Sequence, residues 1–349
     1  MITYYKKVIN GGNQIMKKGI LLVNVGTPAS TEPRDISKYL NEFLSDPRVI
    51  DIPWLARFML IQLTIIPKRP KRISGPYKKI WMAEGSPLLV YGKKITEELQ
   101  KQLGDSYQVE LAMRYGEPSI EKALKKFKHS EFKEIKVIPL FPQYASASTA
   151  TVTERIMDVV KKWTVIPSIE FKTHFYDNED YLNACAEIGK KYLSESYDHF
   201  LFSFHGIPER QIKAGDYDNA CSFDSCCEKI SGKNQYCYRA QCFQTAYSIA
   251  GKLGFSKENY SISFQSRLGK TPWIKPYTDH ILKDFADKGY KKILVFCPSF
   301  ISDCLETSYE VSVEYDNLFK SLGGTKIQLV ESLNANPLWI QTLKNMVSD

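Results

Sequence analysis

Two arrangements of side chains in this 349-residue sequence have the residue types and spacing of a reaction centre. The first is Ser203-Phe204-His205-Gly206-Ile207-Pro208, where a histidine closes an apolar run and Gly206 and Pro208 force a turn. An imidazole changes charge near neutrality, so at a strand's end it can accept a proton or bind a metal. The plainer alternative is a loop histidine. His129, His174, His199 and His280 form no metal-ligand pair at helical spacing. The second arrangement is Glu306, Glu310 and Glu314, following Ser302-Asp303-Cys304-Leu305. Carboxylates four residues apart stack along one helix face, where like charges cost a few tenths of a kcal/mol per pair. This is either an exposed acidic stripe or a ladder that passes protons or holds divalent cations on hard oxygen ligands. Glu306 follows an apolar run, 291–297, and so falls near the same rim as His205, which favours the ladder.

Five of the eight cysteines are crowded into one polar stretch: Cys221, Cys226, Cys227, Cys237 and Cys242. The N-terminal stretch has no apolar core of a secretory signal, and in such a chain the crowding points to metal rather than disulfides. Thiolates suit iron–sulfur clusters and zinc alike. The lack of paired C-x2-C knuckles counts against a zinc ribbon, while C-x4-C occurs in plant-type [2Fe–2S] proteins; spacing leaves both open. Four ligands from five thiols leave one spare, with adjacent Cys226 and Cys227 the ambiguous pair. A further feature is the apolar stretch 53–66, from Pro53-Trp54-Leu55 to Thr64-Ile65-Ile66, with the basic run Pro67-Lys68-Arg69-Pro70-Lys71-Arg72 behind it. It falls short of the ~20 apolar residues that a spanning helix needs. It reads as a buried helix and a basic loop, or as a surface (53–72) that rests on an acidic membrane or grips an apolar ligand with carboxylate tails.

The elements that must position these groups are legible as strand-length apolar runs at 19–25, 107–112, 135–140, 168–175, 198–204, 260–265, 291–297 and 327–331. Helical periodicity separates most of them, which predicts an α/β fold of two doubly wound domains with parallel sheets. The runs divide three and five around 163–167, so the expected domains are 16–165 and 166–332. A C-terminal helical segment, 333–349, is expected to return to the first domain. In such sheets ligands sit beyond the carboxyl ends of strands, where Gly26-Thr27-Pro28, Arg114-Tyr115, Tyr144, His205 and Ser266-Arg267 fall. Hydrophobic residues at 43% and charged residues at 25% exclude wholesale disorder. The net charge of +8 favours anionic partners. Gly269-Lys270-Thr271 lacks the preceding glycine of a phosphate loop and no G-x-G-x-x-G occurs, so no nucleotide is expected. Basic residues are dispersed without a nucleic-acid-binding module. Residues 1–15 read as a ragged extension or a misassigned start, with Met16 as the alternative initiator.

Seven motifs in order give the chain a resemblance to the ferrochelatases, which complete haem by inserting Fe²⁺ into a porphyrin. They are Leu21-Leu22-Val23-Asn24-Val25-Gly26-Thr27-Pro28, Glu84-Gly85-Ser86-Pro87-Leu88, Met113-Arg114-Tyr115-Gly116, Pro139-Leu140-Phe141-Pro142-Gln143-Tyr144, the His205 motif, Phe264-Gln265-Ser266-Arg267 and Asp303-Cys304-Leu305-Glu306-Thr307. The resemblance implies two Rossmann-like domains around a porphyrin cleft. It implies catalytic and iron-binding roles for His205 and Glu306, with Glu310 and Glu314 as an inner ladder for protons or metal. It also implies porphyrin contacts at Arg114, Tyr144, Ser148, Thr27 and Trp54, and an apolar lip at 54–66 facing the membrane. The cysteine-bearing insertion, 215–242, resembles one that carries a [2Fe–2S] cluster in part of the family. The implied ligands are Cys221, Cys227, Cys237 and Cys242, with Cys226 as alternative to Cys227. The expected substrates are protoporphyrin IX and ferrous iron, and the expected location is cytoplasmic and peripheral on the inner membrane face. A chelatase for coproporphyrin or sirohydrochlorin, or a haem or iron–sulfur sensor on the same fold, are the alternatives. Monomer and homodimer both stay open.

Overall fold

Aliphatic and β-branched runs flanked by turns become eight strands in a computed structural model that describes residues 16–129, 131–269 and 271–348. They are β1 (Lys17–Gly26), β2 (Tyr107–Tyr115), β3 (Phe132–Pro139), β4 (Ser168–Phe171), β5 (His199–His205), β6 (Tyr260–Gln265), β7 (Lys292–Phe296) and β8 (Lys326–Leu329). Two sheets result, ordered β2-β1-β3-β4 and β6-β5-β7-β8, with every pairing parallel. Ile20, Leu21, Leu22 and Val23 are all buried, as a strand covered by helices on both faces requires. This is the doubly wound architecture that the alternation predicts. The question of residues 1–15 lies outside the described residues.

The expected division of strands is corrected. β4 pairs with β3 from Glu134–Ser168 to Val137–Phe171, so the strands divide four and four and the 165/166 boundary falls inside the first lobe. Ile169 and Phe171 pack on the first lobe's core, and Glu170 pairs with buried Lys136. The break at 163–167 is a loop between a helix and its strand, and the chain crosses between sheets after Phe171.

The C-terminal helix Pro337–Ser348 packs on Pro87–Leu103 of the first lobe and on Glu179–Lys190 of the second. Lys136 donates to the Met346 carbonyl at 3.1 Å, capping that helix's end. One apolar cluster runs from Ile20 and Leu22 through Trp339 to Phe202 and Phe204, so both sheets share a core that fixes the lobes against each other. Three segments wind as π-helices, Leu60–Ile65, Ser146–Ala150 and Glu306–Tyr315, a form common at functional sites. Among the described residues no helix is long and apolar enough to cross a membrane.

Candidate active site

In the second sheet the strand order reverses between β5 and β7, and it is beyond the strand ends at such a switch point that ligands bind in open α/β sheets. β5 ends on His205, and the chain leaving β7 leads into Glu306–Tyr315. Gly206 must be glycine: its N–H donates to the Gln265 carbonyl at 2.9 Å, and a Cβ would meet that same oxygen at 2.9 Å. His205 Nδ1 lies 2.6 Å from the Gly206 carbonyl, which can only accept. Nδ1 therefore carries the hydrogen in the neutral ring and Nε2 keeps its lone pair. Trp273 and Phe300 flank the imidazole at 6.4 Å between ring centroids. The Tyr238 hydroxyl donates to the His205 carbonyl at 2.8 Å, anchoring the strand end.

The three glutamates stand on the π-helical segment. Gln265, whose Oε1 accepts from Ser203 at 2.7 Å, donates from Nε2 to the Glu306 carbonyl at 2.9 Å and to Glu310 Oε2 at 3.2 Å. Ser266 donates to Glu310 Oε2 at 2.6 Å and Tyr315 to its Oε1 at 3.0 Å. Burial pushes the Glu310 carboxyl above the ordinary range. The Glu306 carboxylate adds to that, while Ser266, His205 and Tyr315 pull it back. His205 and Glu306 thus both sit within electrostatic reach of Glu310, and Glu314 reaches the exposed end of the row.

The first lobe packs against the Glu306–Tyr315 segment. Leu305 packs with Ile36, Leu40 and Tyr77, and Lys79 lies over the Tyr309 ring at 5.4 Å. Burial and then the neighbouring Glu306 charge hold the Tyr77 hydroxyl neutral. Arg69 approaches the same carboxylate and tyrosines; its Nε is buried without a hydrogen-bond partner, and burial lowers its pKa. The sequence showed Arg69 only as one member of a basic run.

The other expected contacts are distributed differently. Arg114 turns inward: Nη2 meets Asp46 Oδ2 at 2.6 Å and Nε donates to Thr151 Oγ1 at 2.7 Å. Burial alone would raise the Asp46 pKa, but Thr151, the Arg48 N–H, Tyr115 and Arg114 together hold it below the usual range. Tyr144 is half-buried and packs edge-on against Tyr236 at 5.4 Å, within electrostatic reach of Arg48. Ser148 lies on the Ser146–Ala150 π-helix, and Thr27 is buried after β1. Trp54 is 70% exposed, and Leu55, Phe58, Met59 and Leu63 are exposed beside it. The 54–65 stretch is thus a largely bare apolar ridge rather than a buried helix.

Four of the thiols are neighbours in the insertion. Cys226 Sγ lies 3.8 Å from Cys227 Sγ, Cys221 is within electrostatic reach of Cys226, and Cys237 of Cys227. The Cys237 neighbour pushes the Cys227 thiol up, while Cys227 and the Ala240 and Arg239 N–H groups at the helix start hold Cys237 down. Arg239 donates to Cys227 Sγ at 3.0 Å. Cys242 is fully buried in the apolar core that also holds Tyr238. Among the described residues no three potential ligands converge on one ion position.

The ferrochelatase family profile matches residues 17–349. A ferrochelatase of Coxiella burnetii (strain RSA 493 / Nine Mile phase I) is 44% identical over 334 residues, spanning 95% of this chain and 93% of its own. One of Legionella pneumophila (strain Lens) is 42% identical over 334 residues, spanning 96% and 99%. Among solved structures, SirB from Bacillus subtilis with Fe³⁺ superposes with a TM-score of 0.52 at 13% identity, covering 95% of each chain, a likeness of fold.

Proposed function

The chain belongs to the ferrochelatase family, and we propose that His205 and Glu306 are the groups that take up pyrrole protons and meet the incoming iron. The enzyme inserts Fe²⁺ into protoporphyrin IX with loss of two protons, forming protohaem. A free-base porphyrin holds two inner N–H protons in a near-planar ring, so metal enters only as they leave. Bending the ring exposes the nitrogen lone pairs, and binding energy along an apolar cleft supplies the distortion. His205 Nε2, with its lone pair free, receives a pyrrole proton. Glu306 assists it or meets the cation, and the proton leaves by way of Glu310 to exposed Glu314. The observation that carries this reading is Glu310, fixed by Ser266, Gln265 and Tyr315 within reach of both His205 and Glu306. Its test is anaerobic Fe²⁺ insertion by His205→Ala: loss of turnover with an intact fold is expected, and normal turnover would remove His205 from the reaction.

Porphyrin would lie against Tyr144, Ser148, Thr27 and the ridge at Trp54. Arg69, with its unpartnered buried nitrogen, suits a propionate better than Arg114, which is already paired with Asp46. The bare ridge at 54–65, beside exposed Lys68, Lys71 and Arg72, suits peripheral contact with an anionic membrane on its cytoplasmic face.

The insertion suits a [2Fe–2S] cluster held by Cys221, Cys226, Cys227 and Cys237. Cys226 and Cys227 have their sulfurs 3.8 Å apart with Cys221 and Cys237 as neighbours, whereas Cys242 is buried in the core. Such a cluster supplies one-electron chemistry. Exchange of two protons for Fe²⁺ draws no electrons, so the insertion serves something other than the bond-making step.

A further inference from the structure

The helix Tyr238–Leu253 starts where the cysteine segment ends and bonds to both the His205 strand end and the Gln143-Tyr144 loop. On its first turns lies Gln241, 0% exposed. Its Oε1 accepts from the Tyr144 N–H at 2.6 Å, and its Nε2 donates to the Gln235 carbonyl at 2.6 Å. A backbone N–H can only donate and a carbonyl only accept, so one orientation of the amide satisfies both. One turn on, Thr245 accepts from Gln143 Nε2 at 3.0 Å and donates back to the Gln241 carbonyl at 2.9 Å. Gln143 and Tyr144 are therefore held at two points by one helix face. The Tyr144 ring meets Tyr236, the residue before Cys237, and Gln235 precedes that. Buried amides bonded at both ends transmit displacement because either bond, once broken, leaves a desolvated group unpaired.

We infer that Gln241 is a positioning residue: it sets Tyr144 for the porphyrin and couples the cleft to the cysteine segment. This rests on the reading that Tyr144 lines the porphyrin cleft. Coupling between two sites is reciprocal, so porphyrin must alter the cysteine segment as the segment alters the cleft. Gln241→Met keeps the volume and removes both hydrogen bonds. It is expected to raise the KM for porphyrin about tenfold with kcat within about twofold, the signature of lost binding rather than lost chemistry. The second readout is independent of turnover: hydrogen–deuterium exchange of the 235–237 backbone, read by mass spectrometry on the full chain with and without porphyrin. Wild-type protein is expected to exchange more slowly there with porphyrin bound, and Gln241→Met to show no such difference. Tyr236→Ala, at a half-exposed side chain, weakens the same link and serves if Gln241→Met does not fold. Failure of wild-type protein to quench porphyrin fluorescence would sink the cleft reading itself. Wild-type binding with equal KM in the variants, or exchange at 235–237 indifferent to porphyrin, would overturn the coupling alone.

Discussion

Ser266 holds Glu310 by a 2.6 Å hydrogen bond from a backbone position with φ of +66°, a conformation that a non-glycine residue rarely adopts. The strain and the bond belong together: the turn after β6 is bent so that this hydroxyl points at the middle of the carboxylate row. Ser266→Ala removes the hydroxyl and keeps the strain. Stability is expected to fall by about 1 kcal/mol. Metal insertion should slow by about tenfold in kcat with porphyrin KM little changed, because the bond serves proton movement and not binding. Steady-state Zn²⁺ insertion and urea unfolding together check this. An unchanged kcat would detach Glu310 from the reaction.

Glu310 also makes stability fall as pH rises above the ordinary carboxylate range. Its folded pKa is raised by burial and by Glu306, so the native state binds this proton more tightly than the unfolded chain. Stability from the group is full below the ordinary carboxylate pKa and is lost as pH rises through the raised value. Glu310→Gln keeps a neutral side chain there. The variant should melt at about the wild-type temperature in acid and above it at neutral and alkaline pH. Equal melting temperatures throughout would show that the carboxylate is not desolvated.

Arg114 is separable from a porphyrin ligand by the kind of damage its loss causes. Its partner Asp46 is buried and accepts also from Tyr115 at 2.9 Å and Thr151 at 2.6 Å. Arg114→Ala leaves that carboxylate without its cation, at a cost of about 3–5 kcal/mol. The expected result is a lowered melting temperature, with the surviving folded protein keeping a near-normal porphyrin KM. A raised KM at an unchanged melting temperature would return Arg114 to the propionates.

All eight strands were legible because β-branched runs between turns have few alternatives, and His205 was legible as the residue that ends one. The four-residue spacing of Glu306, Glu310 and Glu314 looks the same on an α- or a π-helix, so the actual winding was hidden. β4 was placed in the wrong lobe because only its pairing with Glu134–Val137 of β3 decides its sheet. Arg114 and Asp46 stand 68 residues apart in the chain, and no local pattern announces their pairing. Arg69 was obscured for the opposite reason, by equally basic neighbours of which it alone turns inward.

The ridge at 54–65 is expected to bind membranes in two additive parts. Trp54, Phe58 and Leu63 supply the apolar part, at about 1 kcal/mol or more for each side chain partly buried in the interface. Lys68, Lys71 and Arg72 supply about 1 kcal/mol each near an anionic surface. Trp54→Ser, Phe58→Ser and Leu63→Ser together should reduce sedimentation with phosphatidylserine vesicles by at least about tenfold. Added salt should weaken binding of the wild type, since the charged part is screened. Wild-type protein that ignores the vesicles, or a triple variant that binds as well, rules out this docking.

The choice among the five crowded cysteines is decided by colour and iron content. A [2Fe–2S] protein is brown, and its visible absorption bleaches on reduction. If Cys221, Cys226, Cys227 and Cys237 hold the cluster, Cys226→Ser and Cys237→Ser should each lose the absorption and the non-haem iron. Cys242→Ala should keep both and lose about 1 kcal/mol, the cost of a small void in the core. Cys237 is the most informative of the set, because Cys227 and the N–H groups of Ala240 and Arg239 already stabilise its thiolate, the form that binds iron. Bleached Cys242→Ala beside brown Cys226→Ser would move Cys242 into the ligand set and require the start of the Tyr238–Leu253 helix to open when the cluster forms. Colourless wild-type protein with stoichiometric zinc would replace the cluster altogether, since four thiolates suit that ion as well.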